Sequence, residues 1–204
     1  MSIFQILHIS DPHINTKEHF DRSVVLDPLI ERVKTDMRSG FQPEIVVVTG
    51  DIAATGIKDE YELAEKFFKD LRSELGLSVE RLFIVPGNHD VDRKRYRPTD
   101  IPAYDDMKEL NYELENVEYR TDLLKGMEEY FKFVAINYPH LKSRHGNLVP
   151  FVHYYQTTCG KKLGLVGFNS AWMCRKSPDE REIAIGEYQV KMAMEELKAF
   201  GGCD

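Results

Sequence analysis

The sequence predicts an α/β fold in which helices alternate with the strands of a mainly parallel sheet. Three apolar runs of strand composition lie in the first half of the 204-residue chain, and two segments with helical periodicity separate them. Each apolar run stops at polar residues, which include Asp11, Asp51 and Asn88. Because the crossovers between parallel strands are right-handed, we expect these polar ends to meet at the carboxyl edge of one sheet.

The first half of the chain supplies the predicted core. Apolar residues recur near 3.6 spacing in each predicted helix, and Gly40 is placed to stop the first one. The middle strand contains three consecutive valines, which is typical of a strand buried on both faces. Pro86 and Gly87 stop the third strand abruptly. The predicted strands are residues 3–9, 44–49 and 82–85, and the predicted helices are residues 24–38 and 58–75.

The second half of the chain predicts a helical insert and a second sheet. An acidic, aromatic and mostly helical stretch is expected at about residues 93–148. Two runs of strand composition follow it, and Gly160-Lys161 between them predicts an antiparallel hairpin. A last helix is expected over residues 185–200. The predicted architecture is a layered α-β-β-α sandwich that forms a single domain over residues 1–204.

The composition is that of a soluble globular protein. The chain is 42% hydrophobic and 30% charged, which argues against disordered and fibrous classes. A net charge of −7 leaves nucleic acid as a less favoured partner, because broad attraction to phosphates needs a basic surface. Three cysteines without metal-ligand spacing predict reduced thiols in a cytoplasmic protein. No apolar run approaches membrane-spanning length, so we expect no membrane partner.

The polar strand ends predict a metal site. Asp11 and His13 flank Pro12, which stops the first strand and lets both side chains converge, although an isolated Asp-Pro-His is also explained by a simple turn. A mixed carboxylate, amide and imidazole set suits Mn²⁺, Fe or Zn²⁺ better than Ca²⁺, which prefers oxygen ligands. Asp51 follows the middle strand and is placed to bridge two ions about 3.5–4 Å apart.

The three motifs together resemble the calcineurin-like metallophosphoesterase superfamily. They are Asp-x-His at Asp11, Gly-Asp at Asp51 and Gly-Asn-His-Asp at residues 87–90. The resemblance covers residues 1–92 closely and extends more loosely to about residue 200. Within the superfamily the chain is most similar to the class III cyclic-nucleotide phosphodiesterase branch, on the evidence of Gly50-Asp51-Ile52-Ala53, Gly56, Glu60-Tyr61 and Asp90.

The resemblance implies a role for each motif residue. Asp11 and His13 would hold one metal, Asp51 would bridge both ions, and Asn88 would hold the second. His89 would contact the phosphate and protonate the leaving oxygen. The implied cofactors are two divalent ions (Mn, Fe or Zn), with a metal-bound hydroxide as the nucleophile.

Residues just after the last motif are expected to support it. Asp90 would orient His89, as carboxylates do beside working imidazoles. A basic cluster follows, with Arg93, Lys94 and Arg95 in sequence. It is explained either as a solvated loop or as a substrate-binding element in which Arg93 or Arg95 contacts a phosphate, and the sequence leaves both open.

The chain departs from the family downstream. Family members carry further histidine ligands, including a Gly-His-x-His that this sequence does not contain. His140, His145 and His153 do not stand in that context, so they receive no metal role. We therefore expect the chain to be the N-terminal part of a longer protein, in which case its fold and its metal site are incomplete. Whether the chain alone is active stays open.

The predicted function is metal-dependent hydrolysis of a phosphoester, with a phosphodiester favoured and a nucleotide as one candidate substrate. A nuclease of the same superfamily is the second hypothesis, which a basic groove would favour. The third is a non-catalytic nucleotide-binding or regulatory domain that keeps the fold. The presence of His89 argues against the third, because a binding module has less need of a proton donor there.

Overall fold

The computed structural model describes residues 3–17, 22–97, 107–143, 151–175, 183–199 and 201. Its first sheet has three parallel strands in the order β1 (Ile6–Ile9), β2 (Ile45–Thr49) and β3 (Leu82–Val85). Helix α1 (Arg22–Arg38) connects β1 to β2, and α2 (Lys58–Leu75) connects β2 to β3. The predicted α/β class and its parallel sheet are confirmed.

The first strand is shorter than predicted. It begins at Ile6, which pairs with Ile45, the first residue of β2. One further bond, from the backbone N–H of Glu44 to the carbonyl of Gln5 at 2.8 Å, continues the pairing without forming regular strand. The extent of β1 is therefore fixed by its partner strand, as is usual for sheet pairing.

The second sheet is the predicted hairpin of β4 (Phe151–Gln156) and β5 (Lys162–Gly167). Its connection is five residues long, 157–161, and not the two-residue Gly160-Lys161 that the sequence predicted. Thr157 closes this loop, because its backbone N–H donates to the carbonyl of Lys161 at 2.9 Å. Gly160 takes a φ of +83°, a left-handed conformation that glycine adopts without strain.

Four further α-helices lie among the described residues of the second half. Three fall within the predicted insert, and the last follows β5 close to its predicted bounds of 185–200. Among the described residues, no helix is long and apolar enough to cross a membrane. The helices are α3 (Met107–Glu115), α4 (Val117–Leu123), α5 (Glu128–Asn137) and α6 (Glu187–Ala199).

The two sheets pack face to face. Phe83 on β3 lies 6.0 Å from the ring of Phe151 and 5.1 Å from the ring of His153, both on β4. Because strand side chains alternate, Leu82 and Ile84 point to the other face of the first sheet, where they are fully buried.

Helices cover the outer faces of both sheets. Tyr61 of α2 stacks on Phe133 of α5 with ring centroids 5.0 Å apart, which joins two helices over the first sheet. On the second sheet, the hydroxyl of Tyr154 donates to the carbonyl of Leu197 in α6 at 2.8 Å. The result is the predicted layered α-β-β-α arrangement, with loops from the first sheet's carboxyl edge grouped together.

Candidate metal centre

The loops that follow β1 and β2 run side by side beyond the strands. The backbone N–H of His13 donates to the carbonyl of Asp51 at 2.9 Å, and that of Ile14 donates to Ile52 at 2.8 Å. The N–H of Ala54 then donates back to the carbonyl of Ile14 at 2.9 Å. These bonds extend the parallel ladder past the strand ends, so His13 is held directly beside Asp51.

Three backbones at this edge adopt the left-handed conformation. Asp11, His13 and Asp51 have φ values of +54°, +45° and +49°, and they are the non-glycine residues with positive φ in the described part of the chain. Asp and His tolerate this region better than most residues, but it still costs energy. Strain of this kind concentrates at functional sites, where surrounding contacts maintain it.

Gly87 lets the loop after β3 approach Asp51. A Cβ atom at position 87 would overlap both the carboxylate and the backbone nitrogen of Asp51. With only hydrogen there, the chain comes close enough for the backbone N–H of His89 to donate to Asp51 Oδ1 at 2.8 Å. The glycine of the Gly-Asn-His-Asp motif is thus required by a contact between two loops.

His13, Asp51 and His89 form a group that could hold a metal ion. Each offers one ligand atom, and these atoms lie within 4.8 Å of one another. His13 Nε2 is 3.7 Å from Asp51 Oδ2, which is too long for a hydrogen bond. Two ligands that bind one tetrahedral ion at about 2.1 Å lie about 3.4 Å apart, so the gap matches a shared cation.

The imidazole of His89 has a defined tautomer. Its Nδ1 lies 2.8 Å from the carbonyl oxygen of Ala54. A carbonyl oxygen only accepts hydrogen bonds, so Nδ1 carries the proton and Nε2 is left for the metal centre. His89 is therefore positioned either to bind a metal or to transfer a proton through Nε2.

Asp90 does not perform the role that the sequence predicted for it. It is completely buried, and burial raises its pKa to about 6 in spite of the hydrogen bonds that favour its charged form. The group bonded to the imidazole of His89 is the carbonyl of Ala54, so Asp90 instead ties the loops after β2 and β3 together. Its carboxylate accepts hydrogen bonds from the backbone N–H groups of Ile52, Ala53 and Gly87 and from the hydroxyl of Tyr61.

Asp11 and Asn88 are grouped with Asp51 around a pocket. All three line one pocket of about 240 Å³ at the carboxyl edge of the sheet. Asn88 Nδ2 is buried and has no hydrogen-bond partner among the described residues. Rotation of the amide would place Oδ1 there, and that neutral oxygen is a suitable metal ligand. The donor atoms grouped around Asp51 thus fit divalent cations.

The two predicted substrate-binding arginines contact protein groups. Arg93 donates from Nε to the carbonyl of Cys174 at 3.3 Å and from Nη2 to the carbonyl of Asn88 at 3.2 Å. Neither arginine is among the residues that line the pocket. This placement favours a structural explanation of the basic cluster. Arg95 forms ion pairs with Asp92, Glu128 and Glu129.

The downstream histidines lie elsewhere. His140 Nε2 contacts the carbonyl of Leu82 at 2.9 Å, at the opposite end of β3 from the pocket, and His153 packs on Phe83. Neither belongs to the metal-binding group found in the described part of the chain. His145 lies outside the described residues.

Sequence reasoning missed the opposite wall of the pocket. Ser170, Ala171 and Cys174 form it, in the loop that follows β5. This loop is firmly held, because Asn169 exchanges two hydrogen bonds with the side chain of Gln189, at 3.0 and 2.8 Å. The signal that could have indicated it is the polar Asn-Ser pair at the end of a strand, the same pattern that marked the other loops.

Comparison with known proteins identifies the family. A family model described as calcineurin-like phosphoesterase matches residues 4–191. An uncharacterized metallophosphoesterase-like protein, YydB of Bacillus subtilis (strain 168), is 27% identical over 142 residues. The aligned region is 66% of this chain and 29% of that protein, so the chain spans less than a third of its relative. The chain belongs to the calcineurin-like metallophosphoesterase family.

Proposed function

We propose that the protein is a metal-dependent phosphodiesterase that uses two divalent ions, Mn, Fe or Zn. The observation that carries the proposal is the convergence of the other motif side chains on Asp51. Its carboxylate lies close to the side chains of His13 and His89, and it lines a pocket together with Asp11 and Asn88. A carboxylate in such a position can bridge two ions, which when bound would stabilise phosphoryl charge and lower the pKa of water.

The motif residues of this chain would have two roles, metal binding and proton transfer. Asp11, His13, Asp51 and Asn88 would hold the ions, as the resemblance implies. His89 would transfer a proton to the leaving oxygen through Nε2, because its Nδ1 is already bonded to the carbonyl of Ala54.

The choice of a diester over other substrates rests on the motif resemblance. The segment from Gly50 to Tyr61 is similar to the class III cyclic-nucleotide phosphodiesterase branch, which supports a nucleotide-like diester. The ion pairs of Arg95 do not support a nuclease, because they neutralise a charge that a basic groove would need.

Hydrolysis assays on the complete natural protein test the proposal. After metal removal, Mn²⁺ is expected to restore hydrolysis of bis(4-nitrophenyl) phosphate more strongly than that of 4-nitrophenyl phosphate. Asp51→Asn is expected to abolish activity, whereas Asp36→Asn, which changes a half-buried carboxylate paired with Arg32, is expected to leave it intact. Activity that survives metal removal, or full activity in Asp51→Asn, would contradict the proposal, and a preference for the monoester would contradict its diester part.

A further inference from the structure

A buried carboxylate near the candidate metal centre has no role in the function proposed above. Glu60, in the first turn of α2, is only 2% exposed. Burying a carboxylate is costly unless hydrogen bonds compensate it. Its two oxygens accept hydrogen bonds from Thr55, one from the backbone N–H at 2.8 Å and one from the hydroxyl at 3.0 Å. Glu60 therefore fixes the loop that follows β2.

The peptide group between Ala54 and Thr55 connects Glu60 to His89. This planar unit carries the N–H of Thr55 and the carbonyl of Ala54, which point in opposite directions because the peptide is trans. Glu60 accepts from the N–H side, and the carbonyl side accepts from His89 Nδ1 at 2.8 Å. Since the unit is rigid, turning it would disturb both bonds together. Glu60 thus sets the direction of the carbonyl that His89 meets.

The same chain of bonds also has an electronic effect. A hydrogen bond from the Thr55 N–H to a carboxylate polarises the peptide group and strengthens its carbonyl as an acceptor. In many metal sites a carboxylate bonded directly to a histidine ring N–H fixes the tautomer of that histidine. Here one peptide group stands between the carboxylate of Glu60 and the imidazole of His89.

Helix capping does not account for these contacts. A glutamate at the third helical position often bonds the N–H of the N-cap residue. The N-cap of α2 is Ile57, and Glu60 reaches past it to Thr55. The side chain is therefore used to hold the loop and not the end of the helix.

We propose that Glu60 is a positioning residue for His89 and acts through the Ala54–Thr55 peptide group. It keeps the proton of His89 on Nδ1 and leaves Nε2 directed at the metal centre. Only the kinetic consequence of this proposal rests on the proposed function, because the tautomer of His89 can be measured without turnover.

Nuclear magnetic resonance of the histidine rings tests the proposal directly. In metal-free protein with ¹⁵N-labelled histidine at alkaline pH, wild-type His89 is expected to show a single Nδ1–H tautomer, its signals assigned by their loss in His89→Asn. Glu60→Ala is expected to give a mixture of tautomers. Asp59→Ala, which removes an exposed carboxylate from the same helical turn, is expected to keep the wild-type spectrum. An unchanged His89 spectrum in folded Glu60→Ala overturns the proposal.

Two additions keep the test decisive. If Glu60→Ala does not fold, Glu60→Met retains the side-chain volume and removes both acceptor oxygens, and an unchanged His89 spectrum in that variant also overturns the proposal. In turnover assays, Glu60→Ala is expected to lower kcat by ~10- to 100-fold for a diester with a poor leaving group and less for a 4-nitrophenyl diester. Equal losses combined with a changed tautomer would support the positioning role and contradict proton donation by His89.

Discussion

Replacing Gly87 with alanine should separate steric contact from backbone strain at the metal centre. Gly87 has a φ of −113°, a conformation that alanine adopts without cost. The added Cβ would lie 2.8 Å from Asp51 Cγ, whereas ordinary carbon–carbon contacts are about 3.5–4.0 Å. Asp51 or the loop must therefore shift by roughly 1 Å. A displacement of that size at a reacting centre can cost about 100-fold in rate.

The assay compares metal binding and turnover in Gly87→Ala with those in Gly40→Ala. Gly40 has a φ of +100°, and a Cβ there would meet nothing within 4 Å, so this control introduces backbone strain without a contact. We expect Gly40→Ala to lose about 1 kcal/mol of stability and to bind Mn²⁺ normally. Relative to the wild type, Gly87→Ala is expected to lose more free energy of Mn²⁺ binding than free energy of unfolding. Wild-type affinity and turnover in Gly87→Ala would refute the argument that this glycine is required by the approach to Asp51.

Three further predictions follow from contacts around the site and at the opposite end of the sheet. Arg93→Met should weaken Mn²⁺ binding by ~10-fold by releasing the carbonyl of Asn88, while Arg95→Met should not; equal effects in a calorimetric titration would contradict this. Glu44→Ala removes the acceptor of hydrogen bonds from Tyr155 and Thr158, and should lower the free energy of unfolding in urea by about 2 kcal/mol with metal binding unchanged. Burial lowers the pKa of His140 and His153 below 6.5, so the stability that their neutral forms contribute is present above pH 6.5 and lost as the pH falls. Thermal melts of His153→Phe should show a smaller loss over that range, and an unchanged loss would exclude His153 as a source.

The fold was predictable because its signals are local. Three consecutive valines bounded by Gly50 identify a buried strand without any tertiary information, and the structure places β2 at Ile45–Thr49. The predicted helix over residues 58–75 matches α2 at both ends, since Gly76 stops it in the left-handed conformation. Where the prediction failed, it lacked information about the distant residues with which a segment forms hydrogen bonds. The start of β1 depends on the first residue of β2, and the hairpin connection depends on the loop bonds of Thr157.

The sequence predicted only those site residues that directly follow a strand of the first sheet. Asp11, Asp51 and Asn88 follow strands of one parallel sheet, and the structure brings all three to one pocket. The wall formed by Ser170, Ala171 and Cys174 comes from the other sheet. How two sheets pack depends on side-chain shape across the interface, which no local pattern encodes.

The contrast between Asp90 and Glu60 shows why adjacency in sequence misled the prediction. Asp90 follows His89 directly, but both lie in a short 3₁₀ turn (Asn88–Asp90), where successive side chains point in different directions. Asp90 turns into the core, and His89 turns towards the metal centre. The carboxylate that we propose supports His89 lies 29 positions earlier, at Glu60 in the first turn of α2, where it binds Thr55 in the loop that follows β2. A helix can supply such support more rigidly than a neighbouring loop residue, since its backbone is already fixed by its own hydrogen bonds.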